Sequence, residues 1–112
     1  MLNIQTNTQP SSHPTAHENC RYYLTYSGVQ LPLKLVNELN PTAISNRNTY
    51  FLAHFDDAGR VMLCQKVVYG EIEMEHHYQY HDNGILKRVE VVNSENETHI
   101  LQYTEQGRML AI

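Results

Sequence analysis

The sequence predicts an all-β fold with at most one short helix: a single antiparallel meander of about 7–8 strands, strongly curled into a half-barrel or barrel. Three observations predict it. Apolar residues recur at a spacing of two, the period of a half-buried strand. Glycine-terminated polar turns recur at nearly constant intervals. Tyrosine, with eight copies against two Phe and no Trp among 112 residues, supplies large rings with polar tips that suit half-buried sheet positions.

Residues 1–19 hold Ser, Thr, Asn, Gln, Pro and His with almost no apolar period. Such a segment buries too little surface to offset its ordering entropy, so a disordered polar tail is expected there and a single β domain over 20–112. From Arg21, the residues Tyr22, Leu24 and Tyr26 alternate with Tyr23 and Thr25 up to Ser27-Gly28. The run Val29–Val36 then places Leu31, Leu33 and Leu35 two apart. Pro32 lacks an N–H for the ladder, so this strand belongs at an edge or begins near the proline. Residues 37–48 interrupt the pattern; Asn40-Pro41 marks a turn, and Pro41 can open one helical turn through Ile44.

The rest of the chain repeats itself. The stretches YFLAHFDDAGRVM (50–62), EHHYQYHDNGILK (75–87) and THILQYTEQGRML (98–110) align Phe55 with Tyr80 and Tyr103, and Gly59 with Gly84 and Gly107. The glycine offsets are 25 and 23 residues. In each stretch a polar triplet can take the right-handed positions of a type I turn, and Gly then accepts the positive φ that closes a hairpin. Three hairpins pointing one way follow, joined by reverse turns at Tyr69-Gly70 and at 94–97. Pairing Val68 with Glu71 sets Lys66 opposite Glu73 and aligns Val61, Leu63 and Val67 with Tyr78, His76 and Ile72. One face is then apolar, and the other holds Glu71, Glu73, Glu75, His77 and Gln79. Residues 48–68 carry apolar side chains at both parities, as strands buried on both faces or a strongly curling sheet would.

The heptapeptide Phe55-Asp56-Asp57-Ala58-Gly59-Arg60-Val61 resembles the YD repeat of Rhs-type proteins. Tyr80-His81-Asp82-Asn83-Gly84-Ile85-Leu86-Lys87 is similar to antitoxin-like hairpin repeats. The segment from Arg21 to Val92 resembles a small bacterial family, a domain of unknown function. These resemblances imply hairpin modules and carry no catalytic residue across.

Composition excludes several classes of function. A net charge of −4 with eight scattered Lys and Arg provides no basic stripe for displacing counterions, so nucleic acid is not expected as a partner. No stretch approaches the ~20 apolar residues of a spanning helix, so no membrane is expected, and the start lacks the pattern of a secretory signal. A cytoplasmic location follows, with Cys20 and Cys64 as free thiols. Seven histidines invite a metal reading, but His76 and His77 point to opposite faces of a strand, and His77 and His81 stand roughly 13 Å apart. Ligand spacing is absent, so no metal and no cofactor are expected.

A binding or protein-interaction module is the favoured function, with a protein partner or a homodimer. The alternative is a small-molecule-binding protein or cofactor-free enzyme that uses a concave sheet face lined by Tyr and His. Its candidate ligand-binding residues are His76, Tyr78, Tyr80 and, from another strand, His54. No serine elbow, phosphate loop or Cys–His signature points to catalysis.

Overall fold

The structure is a computed structural model that describes residues 20–110; the tail expected over 1–19 lies outside the described residues. In chain order the elements are β1 (Cys20–Ser27), β2 (Lys34–Leu39), a short 3-10 helix (Pro41–Asn46), β3 (Thr49–Phe55), β4 (Val61–Val68), β5 (Glu71–Tyr80), β6 (Leu86–Val92) and β7 (Thr98–Gln102). The seven strands form one antiparallel sheet in the order β2-β1-β3-β4-β5-β6-β7. From β3 onward this is the expected meander. At its start, β3 pairs with β1 instead of β2, because the 3-10 segment carries the chain back across β1, against which it packs. Asn40 caps that segment, its Oδ1 accepting from the N–H of Thr42 at 3.0 Å, with Pro41 at the first helical position.

The expected barrel is not formed: the sheet neither closes nor curls strongly. Closure would require β2 and β7 to pair, and both are short, with 6 and 5 residues against 10 in β5. Both edges are also blunted. Asn37 takes a φ of 62° in the middle of β2, and the N–H of Leu110 folds back to the carbonyl of Gln102 on β7.

A hairpin covers the apolar face instead. Only Cys20–Tyr23 of β1 pair with β3; beyond them the β1–β2 hairpin leaves the sheet edge. Tyr26 meets the ring of Phe51 edge-on at 5.5 Å, and the N–H of Leu33 donates to the Tyr78 hydroxyl at 3.2 Å. Regular pairing in the run expected over 29–36 begins only at Lys34. Leu31 and Leu33 precede it in the connecting loop, and with Leu35 they pack on the core. That core comprises Tyr23, Phe51, Ala53, Val61, Cys64, Tyr78 and Val89.

Three β-bulges decide which residues face it. In the β4–β5 pair the Tyr69-Gly70 turn sets Val68 opposite Glu71 as expected, but the register then shifts between Lys66 and Val67. Glu73 becomes the extra residue, so Cys64 lies opposite His76 where Leu63 was expected. The Lys66–Glu73 ion pair survives at 3.3 Å. In the β3–β4 pair a shift leaves Met62 as the extra residue and sets Phe55 opposite Val61. The β5–β6 pair repeats this with Lys87, setting Tyr80 opposite Leu86. A bulge returns the next residue to the face it would otherwise leave. This accounts for the mixed parity of residues 48–68: Val61 and Cys64 both reach the core without the strand being buried on both sides.

Candidate binding groove at the hairpin tips

The three glycine turns share one backbone geometry. Asp56, His81 and Thr104 donate their N–H groups to the carbonyls of Arg60, Ile85 and Arg108, each at 2.8 Å. In return their carbonyls accept from Gly59, Gly84 and Gly107 at 2.9–3.0 Å. The glycines sit at φ between 83° and 88°, where a side chain would be strained. Asp56 Oδ1 accepts from the N–H groups of Ala58 and Arg60, and Thr104 Oγ1 accepts from those of Gln106 and Arg108. In the middle turn Asn83 Oδ1 takes the N–H of Ile85, which frees the His81 ring for other work.

That ring ties two tips together. His81 Nε2 donates to the carbonyl of Tyr103 and Asn83 Nδ2 to the carbonyl of Glu105, both at 2.9 Å. The first tip joins through Arg60, whose guanidinium lies over the Tyr80 ring at 4.8 Å, while its Nε donates to Asp56 Oδ2 at 2.9 Å. Tyr80 in turn donates its hydroxyl to the carbonyl of Val61 at 2.7 Å.

On the core side of this row lies an open groove of about 440 Å³, lined mainly by Leu31, Pro32, Val61, Tyr80, Leu86 and Tyr103, with Arg60 and Ile85 at its rim. Its origin is local. Each tip places an aromatic residue opposite an aliphatic one: Phe55 with Val61, Tyr80 with Leu86, and Tyr103 with Met109. In the first two pairs the bulges at Met62 and Lys87 turn the aliphatic partner inward. The tip of the β1–β2 hairpin supplies the remaining wall.

The groove is short of titrating groups. Burial pushes the Tyr80 hydroxyl up to about 12, aided by the nearby Asp56 carboxylate. Burial works against ionisation of Asp56, but the N–H and guanidinium of Arg60 and the N–H of Ala58 outweigh it, holding the carboxyl below its usual range.

The four candidate residues do not gather at one place. His76, Tyr78 and Tyr80 share one face of β5, but only Tyr80 reaches the groove. His76 and Tyr78 are 7% and 4% exposed, sealed beneath the loop that bonds Tyr78. Burial raises the Tyr78 hydroxyl and keeps it neutral; it accepts from the N–H of Leu33 and shares a 2.7 Å hydrogen bond with His76 Nδ1. The His76 imidazole is shifted down by burial and by the charge of neighbouring His77. His54 lies next to fully buried Ala53 on β3 and opposite Leu63, so alternation puts it on the other face. On that face His77 contacts Glu75, which Gln65 also holds at 2.8 Å. Among the described residues no three His, Cys, Asp or Glu side chains gather as a metal site. Cys20 and Cys64 are free, and burial pushes the Cys64 thiol up to about 12. No described helix is long and apolar enough to cross a membrane.

Sequence reasoning missed Arg60, Leu86, Tyr103 and the Leu31-Pro32 wall. The signal for Leu86 and Tyr103 was available: aligning the repeats places an aromatic and an aliphatic residue at fixed offsets from each glycine, whereas the place of Arg60 is held by Ile85 in the middle repeat.

Fold and site together define an open antiparallel sheet domain with a ligand-sized apolar groove built from its hairpin turns. The chain belongs to the Family of unknown function (DUF6156), whose model matches residues 15–112. That bears out the reading as a domain of unknown function, while the likeness to YD repeats is confined to turn chemistry. No curated protein and no solved structure matches the chain.

Proposed function

We propose that this domain is a binding module and not an enzyme, and that the groove across the hairpin tips receives the ligand. One observation carries the reading: an open, mainly apolar groove with a single charged side chain at its rim. Small-molecule sites share that composition, apolar walls with few placed polar groups. An acid–base role for His76 and Tyr78 is less well supported, because the β1–β2 hairpin closes over them and leaves a substrate no approach. Two free thiols agree with a reducing cytoplasmic setting, which belongs to the same proposal.

The aromatic anion 1-anilinonaphthalene-8-sulfonate tests the groove. Its fluorescence is expected to rise on adding the wild-type protein and to fall several-fold with Ile85→Glu, a rim substitution at an exposed turn position. Equal fluorescence from both folded proteins would place apolar binding elsewhere and sink the groove reading.

A further inference from the structure

We infer that the groove selects molecules with an apolar body and a single carboxylate, and that Arg60 reads the carboxylate. This rests on the proposed groove reading and specifies its ligand class. Arg60 is held in place before any ligand arrives. Its ring-stacked guanidinium sits 4.8 Å from the Tyr80 centroid, and Nε is spent on Asp56. The two outer nitrogens, Nη1 and Nη2, have no hydrogen-bond partner among the described residues. The side chain keeps 39% of its surface exposed, so those nitrogens are wet when the groove is empty and open to a ligand.

Geometry places them beside apolar walls. Nη1 lies 3.9 Å from where a Cβ on Gly84 would stand, and Gly84 lines the same groove. A planar fork with two free N–H₂ groups matches the two oxygens of a carboxylate, and a stacked arginine loses little freedom in making that bond. The apolar body then lies along Val61, Leu86 and Tyr103 under Leu31-Pro32. A volume of about 440 Å³ falls in the lower part of the roughly 300–1,000 Å³ range of small-ligand sites.

Charge sets the limit of one carboxylate. Asp56 already balances part of the guanidinium charge, and Arg60 is the one charged side chain among the groove's lining residues. One carboxylate finds a cation there, whereas the second charge of a phosphate monoester or a dicarboxylate would find none and would lose its hydration against apolar walls.

Octanoate and its uncharged counterpart 1-octanol test this on the full chain by ¹⁵N–¹H spectra. Octanoate is expected to shift the amides of Arg60, Gly84, Ile85 and Gly107 and to bind about tenfold more tightly than octanol, the worth of one charge-assisted contact. Arg60→Gln should remove that preference while leaving octanol binding in place. Should loss of the Asp56 contact unfold that variant, Ile85→Glu serves instead, since a rim carboxylate should repel octanoate more than octanol. Equal affinity for the two ligands in wild type, both moving the groove amides, would overturn the carboxylate inference and leave the groove reading standing. If neither ligand moved those amides, the groove reading itself would fall, and this one with it.

Discussion

His76 is the buried histidine of the core, and its chemistry is a matter of stability. Its neutral imidazole shares a hydrogen bond with the Tyr78 hydroxyl; protonation would bury a charge. Because burial lowers the folded pKa below the ordinary 6.5, the unfolded chain takes up the proton first as pH falls. The contribution to stability is therefore complete above pH 6.5 and lost as pH drops through the folded value, at a slope of up to about 1.4 kcal/mol per pH unit for one proton. Urea midpoints at pH 7.5 and pH 5 should fall farther in the wild type than in His76→Gln. Equal falls would mean that His76 does not titrate with folding. The residue scale also divides the four candidates. Tyr80 is spared from the seal because it lies two residues nearer the tip than Tyr78, past the reach of the bond from Leu33.

Among the elements, the tip hairpins do the most to shape the surface. Turn geometry aligns three aromatic residues, and the bulges bring Val61 and Leu86 to the same side. Lys87 is exposed and bonds nothing through its side chain among the described residues; it is the residue that the bulge leaves out of the pairing, which lets Leu86 face the core. Deleting Lys87 should leave Leu86 opposite Tyr80 in unbroken alternation, so its side chain stays inward and the loss stays below the about 2–3 kcal/mol of turning one large aliphatic side chain out. Lys87→Ala should stay within about 0.5 kcal/mol of wild type. Denaturant melts measure both; a loss of the full 2–3 kcal/mol on deletion, a figure taken from the about 25 cal/mol per Å² of burial, would show that the facing of Leu86 depends on the extra residue. The turns were legible in the sequence because the demand for positive φ falls on one residue type at Gly59, Gly84 and Gly107. The turn at 93–97 escaped the same alignment. It repeats the backbone bonds with Asn96 at φ 63° in the glycine place and Asn93 accepting from Glu95 and Glu97. Asn tolerates that conformation at modest cost, so the chemistry is shared while the letter differs.

For the molecule as a whole, the decisive feature is an open sheet whose apolar side is roofed by its own first hairpin. Two edges remain, and their exposure bears on self-association. The outer edge of β2 is disturbed at Asn37 and that of β7 is partly taken by Leu110, so a dimer through either edge has few free backbone groups to use. Sedimentation velocity over a hundredfold dilution is expected to show a single species at the 13.0 kDa monomer mass. A concentration-dependent shift to twice that mass would move the balance toward an interface between copies.

The sequence by itself determined the strand-rich class, the three glycine turns and their shared direction, and the Lys66–Glu73 contact. All of these depend on residues close together along the chain: side-chain alternation, φ at one position, a two-residue turn. Tertiary structure alone decided where the bulges fall, that Cys64 and not Leu63 faces His76, that the β1–β2 hairpin covers the sheet in place of closure, and that Arg60 meets Tyr80 beside a groove. Each of those outcomes is settled by packing between segments distant in sequence. A bulge inserted at one hydrogen bond or the next leaves local propensity nearly unchanged, whereas the apolar area it buries is not known until the opposite strand is in place.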